Sequence, residues 1–139
     1  MIYPFYTFLL FFSFLLFLTS CGSHSLDDFQ EEGEGVIRSI IQELKTIHTR
    51  GELSIASTTL QRQFDRLVSI MIAAEEFGFS NQEVDKGGEL RPNHELSDQL
   101  RVELNRLYHL EGGRQMIEKC QEKALYRLDA FERRKKPLR

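Results

Sequence analysis

Leu53, Leu60, Leu67 and Ala74 stand seven residues apart, and Ala56, Phe64, Ile70, Met71 and Phe77 fill the positions between them at steps of three and four. A repeat of this kind keeps one seam of an α-helix facing its partners, whereas a strand would alternate at two. The stretch from about Gly51 to Phe77 is therefore expected to be one helix of a bundle. Its outer face carries Gln61, Arg62, Asp65 and Arg66, while Leu67-Val68-Ser69-Ile70-Met71-Ile72 is apolar nearly all round. That stretch should be covered on more than one side.

The same period runs through the rest of the chain and calls for no strand. A first helix is expected from about Asp27 to His48, with Phe29, Val36, Ile37, Ile40, Ile41, Leu44 and Ile47 on its inner side. Asp27, Asp28, Glu31 and Glu32 suit its N-terminal dipole, but Gly33 and Gly35 weaken everything before Val36. Thr49 and Glu52 have the spacing of a capping box, which predicts a tight hairpin into the second helix. Asn93 is placed to cap a third helix that buries Leu96, Leu100, Leu104, Leu107, Tyr108 and Leu110. Gly112-Gly113 then divides the reading. Leu110, Ile117, Ala124 and Phe131 keep their seven-residue spacing across the pair, yet two interior glycines cost a helix about 2 kcal/mol, and an unbroken helix of about 41 residues would be roughly 60 Å long. The expectation is an all-α, antiparallel bundle of four helices; the alternative is three, with the last long and kinked at Gly112-Gly113. Gly78 to Pro92 forms the one long loop, rich in Gly, Asn, Ser and Pro, with a further capping pattern at Ser80-Asn81-Gln82-Glu83. Phe79, Val84 and Leu90 should fold back over the end of the bundle, and a loop of this length is a candidate partner contact.

The N-terminus carries a different signal. Phe5 to Leu18 contains only Phe, Tyr, Leu, Thr and Ser, and it is followed by Leu18-Thr19-Ser20-Cys21-Gly22. An apolar core of this length is that of a signal peptide, since a membrane-spanning helix needs about 20 apolar residues. With small residues before the cysteine, the segment resembles a bacterial lipoprotein signal peptide and its lipobox. The resemblance implies cleavage before Cys21, fatty acylation of Cys21, and a place in the cell envelope, membrane-anchored and facing away from the cytoplasm. No Lys or Arg precedes Cys21, a departure from the usual positive n-region that leaves an uncleaved anchor as the alternative. The organisation that follows is a signal peptide over 1–20, a lipid-anchored tether over 21–26, a helical bundle over 27–132 and a basic tail over 133–139. In an up-down-up-down bundle the tail Arg133-Arg134-Lys135-Lys136-Pro137-Leu138-Arg139 lies at the same end as the anchor. There it would meet anionic headgroups or pair with Asp27, Asp28, Glu31 and Glu32.

All 18 basic and 21 acidic residues follow Cys21, and the formal charge of −3 gives no reason to expect a nucleic-acid partner. With Cys21 acylated, Cys120 is left without a disulfide partner, and its place on an apolar face predicts a buried, inert thiol. The histidines His24, His48, His94 and His109 form no HExxH or Glu-x-x-His pair, so no metal site, cofactor or catalytic residue is assigned. His94 and His109 read as capping or surface residues, and Tyr108 and Tyr126 fall near core stripes.

The stretch Leu107-Tyr108-His109-Leu110-Glu111-Gly112-Gly113 through Phe131 resembles small uncharacterised lipoproteins of chlamydia-like bacteria, a resemblance to which no activity attaches. Taken together, these features lead to the expectation of a non-enzymatic, lipid-anchored helical module. It would be attached to the membrane through the lipid on Cys21 and would serve a structural or interaction role toward an envelope protein partner. The alternative is a small-ligand carrier or enzyme, for which a polar-lined pocket between the second and fourth helices would be the sign.

Overall fold

The computed structural model describes residues 25–80 and 93–135. Four helices account for nearly all of them: α1 (Leu26–Thr46), α2 (Arg50–Ser80), α3 (His94–Tyr108) and α4 (Gly113–Lys135). There is no strand among the described residues.

Each helix start has a local cause. Ser25 caps α1: its hydroxyl accepts from the Asp28 amide at 3.2 Å while the Asp28 carboxylate accepts from the Ser25 amide at 2.8 Å. This reciprocal pair holds α1 helical from Leu26, so Gly33 and Gly35 do not fray it. At Gly33 α1 faces Ile70 of α2, and a Cβ there would stand in ordinary contact at 3.8 Å. The expected capping box at the start of α2 is present as well. The Glu52 carboxylate accepts from the His48 amide at 2.7 Å and the Thr49 amide at 3.1 Å, and the Thr49 hydroxyl accepts from the Glu52 amide. For α3, the Asn93 side chain accepts from the Leu96 amide at 3.1 Å.

The break between α3 and α4 falls at Gly112-Gly113, and each glycine is needed for its own reason. Gly112 takes φ +68°, a left-handed conformation that costs other residues about 1–2 kcal/mol. Gly113 is buried where a Cβ would stand 2.0 Å from the Leu107 carbonyl oxygen. Four helices are therefore present. The seven-residue spacing across the glycines reflects two helices whose apolar faces share one core.

Cross-contacts fix the arrangement. α1 and α2 form one antiparallel hairpin, and α3 and α4 form another. α3 starts beside Arg38 and ends where Arg106 meets Leu44 and Ile47, so it runs parallel to α1. Ser57 meets Cys120, Asp65 meets Arg127 and Glu75 meets Lys135, so α2 and α4 are parallel too. Around the bundle the order is α1, α2, α4, α3. The helices on either side of residues 81–92, α2 and α3, stand on opposite corners, with no close backbone approach among the described residues.

Ile40, Leu44, Leu53, Leu60, Leu107 and Ile117 are completely buried, and each such side chain contributes about 1.5–3 kcal/mol of transfer free energy. Along α2 the buried line runs Leu53, Ala56, Leu60, Phe64, Val68, Ile70 and Ala74, with Leu67 only half-buried. Met71 was expected in the core and is 42 % exposed. It points along the Leu53 direction, but at its level α3 is only beginning. The second helix also extends past Phe77 to Ser80. The remaining loop expectations, for Val84, Leu90 and the Ser80–Glu83 pattern, lie outside the described residues.

The α2 cap yields a prediction. Backbone amides of His48 and then Thr49 hold the Glu52 carboxyl below its ordinary range. A carboxyl whose folded value is lowered stabilises the fold above its unfolded value and loses that contribution as pH falls through the folded value. Glu52→Gln should lower the melting temperature at pH 7, and the gap to the native protein should close on acidification from about pH 5 to about pH 3. A gap that is constant with pH would assign the effect to something other than the carboxylate.

Candidate functional site

The surface between the parallel helices α2 and α4 forms an open groove of about 500 Å³. Thr58, Gln61, Arg62 and Asp65 line one wall, and Lys119, Glu122, Lys123 and Tyr126 line the other. Each wall repeats the spacing i, i+3, i+4, i+7, which is one face of a helix over two turns. Cys120, beneath the α4 wall, is buried against the Ser57 carbonyl, its Sγ at 3.6 Å. Burial pushes this thiol up, so it stays protonated, as its place on the apolar face suggests.

Asp65 organises the floor. Its carboxylate accepts from Arg127 Nη1 at 2.5 Å, and Lys123 stands 4.0 Å away. Arg127 Nη2 donates to the Ser69 hydroxyl at 3.0 Å, and that hydroxyl donates to the Asp65 carbonyl. The aspartate charge is thereby neutralised inside the groove. Arg62 and Lys119 have no ion-pair partner among the described residues. Tyr126, expected near a core stripe, is instead 74 % exposed on the outer lip. On α4 it sits opposite Ile117, and the buried direction there is set by Ile117, Cys120, Ala124 and Phe131.

Two smaller grooves each hold an ion pair. Between α1 and α2, Glu32 pairs with Arg66 at 3.2 Å and the Gln63 amide donates to Ser39. Between α1 and α3, Arg38 pairs with Glu34, whose carboxyl is lowered by hydrogen bonds from Gln30 first and from Asn93 and Arg38 besides.

The remaining sequence candidates fall as follows. Cys21 and the apolar run Phe5–Leu18 lie outside the described residues, as do residues 81–92 of the loop. No described helix is long and apolar enough to cross a membrane. His48 and His109 are exposed at the helix turns, His109 as the last cap of α3 with Nδ1 2.7 Å from the Asn105 carbonyl. His94 is the exposed first residue of α3. No three His, Cys, Asp or Glu side chains among the described residues are grouped around a possible ion. Of the basic tail, Lys135 pairs with Glu75 and Arg133 with Asp129 at 2.6 Å. Arg134 lies over the Phe131 ring. Compared with protein-family models, curated proteins and solved structures, the chain matches none.

The Asp65–Arg127 pair was not marked by the sequence, because the two residues are 62 positions apart and only the parallel packing of α2 on α4 joins them. A double-mutant cycle of Asp65→Asn and Arg127→Gln should give a coupling of about 0.5–1 kcal/mol, as for a partly exposed pair, and should shrink in 1 M salt. Additive effects of the two changes would mean that the pair is not formed in solution.

Proposed function

We propose that this chain is a lipid-anchored helical protein of the bacterial envelope that acts as a structural or protein-interaction module. The observation that carries the reading is the position of the described chain ends. Ser25, at the start of α1, lies only four residues after Cys21. Phe29 of α1 packs on Phe77 of α2 with ring centroids 5.7 Å apart, and Lys135 of α4 reaches Glu75 of α2. The beginning of α1 and the end of α4 therefore share one end of the bundle. A lipid on Cys21 would hold that end against the bilayer and direct the hairpin turns outward.

The lipid, not the basic tail, would supply most of the attachment. A basic residue near anionic headgroups contributes about 1 kcal/mol, whereas each buried methylene of an acyl chain contributes about 0.8 kcal/mol. Lys135 and Arg133 are already engaged by carboxylates, and Asp27, Asp28 and Glu31 stand exposed at the same end. A second reading, a small-ligand carrier or enzyme, would use the polar-lined surface between α2 and α4, which is an open groove and not an enclosing pocket.

Mass spectrometry of the mature protein should find an N-terminus at acylated Cys21, and Cys21→Ala should leave the chain unacylated with the apolar run Phe5–Leu18 still attached. A native chain that begins at unmodified Met1, or that carries no acyl group on Cys21, would contradict lipid anchoring.

A further inference from the structure

We propose that the groove between α2 and α4 is the docking surface for an acidic, amphipathic helix of a partner protein. The proposal rests on the interaction-module reading and specifies its partner. The groove walls are two parallel helices with matched faces, so the trough between them runs straight for about 10 Å, enough for a third helix to lie along it. Its electrostatics run against the rest of the molecule. The chain carries −3 overall, yet Arg62, Lys119 and Lys123 face the groove against the single carboxylate of Glu122, while Asp65 is neutralised by Arg127 from below, so the lining keeps an excess of positive charge. Arg62 and Lys119 are without an ion-pair partner among the described residues.

Apolar surface completes the pattern. Ile55, 85 % exposed, lies one turn before Thr58 at the edge of the α2 wall, and Tyr126, 74 % exposed, forms the α4 lip. An isoleucine and a tyrosine flanking uncompensated cations fit the apolar edge and the carboxylates of an amphipathic helix. A small molecule is a poorer match, because ligand pockets enclose their guests in mostly apolar walls and this groove is open and polar.

The test uses the full chain in detergent micelles and a fluorescein-labelled synthetic helix of about 18 residues, with glutamates along one face bordered by leucines. Fluorescence anisotropy should show saturable binding that weakens with salt, and a control peptide with lysine at every glutamate position should not bind. The double variant Arg62→Glu/Lys119→Glu, both changes on exposed positions, should lower affinity by about tenfold or more with an unchanged circular dichroism spectrum. Lys45→Glu, at the end of α1, should leave affinity unchanged. No saturable binding, binding indifferent to the double reversal, or displacement of the peptide by millimolar inorganic phosphate would overturn the proposal, the last outcome marking a small-anion site. Detergent holds the chain in solution whether or not Cys21 is acylated, so failure of the groove and failure of the anchor are read separately.

Discussion

The Arg106 guanidinium fixes how the two helical hairpins sit on one another. It donates from Nη1 to the Ile47 carbonyl and from Nη2 to the Leu44 carbonyl, both at 2.7 Å, while its Nε donates to Glu103. The last carbonyls of a helix have no partner within it, and here they are met by an arginine from the other hairpin. Apolar burial supplies most of the stabilisation, but it is nearly indifferent to direction, and the α3–α4 hairpin could slide by a turn and still cover leucines. Two charge-assisted hydrogen bonds to particular carbonyls cannot survive such a slide. Nearby, the Arg50 guanidinium lies close to Gly112, so both hairpin turns are gathered at one end.

Bringing the turns together leaves the start of α1 and the end of α4 at the opposite end. It also sets α2 parallel to α4, with Asp65 opposite Arg127 and their outward faces in register along a groove. The start of α1 brings acidic residues and the end of α4 basic ones to one end of the bundle, and the α2–α4 groove lies further along. On the proposed reading, a tether at that end would hold a partner in the groove at a set distance from a membrane.

Local features were legible in the sequence because their physics is local. The Thr49–Glu52 and Asn93 caps, the hairpin between α1 and α2 and the burial of Cys120 all depend on residues a few positions apart or on helical period. Gly112-Gly113 was ambiguous because period and glycine cost argued opposite ways; the left-handed φ of one glycine and the close approach of the other decided it. The Ser25–Asp28 cap was hidden behind Gly33 and Gly35, whose weak propensity argued for fraying before Val36 although the cap holds the helix from Leu26. Met71 was misplaced because periodicity gives a face without saying where a neighbouring helix begins, whereas Tyr126 lies opposite Ile117 on α4, off the stripe that helical period itself marks. The bundle order, Arg106 on the end of α1 and the Asp65–Arg127 floor depend on contacts across some 60 residues, and no spacing rule reaches that far.

Amide hydrogen exchange in Arg106→Gln tests this organisation most directly. The substitution keeps most of the side-chain stem and removes the charged fork that caps α1. Loss of hydrogen bonds of this kind costs about 1.5–3 kcal/mol, so protection of the Leu44–Ile47 amides should fall by about tenfold or more, together with the turn at His109–Gly113 and ahead of the buried middle of α2. Protection at Leu44–Ile47 equal to that of the native protein, or a loss spread evenly over all four helices, would contradict a bundle whose hairpins are registered by Arg106.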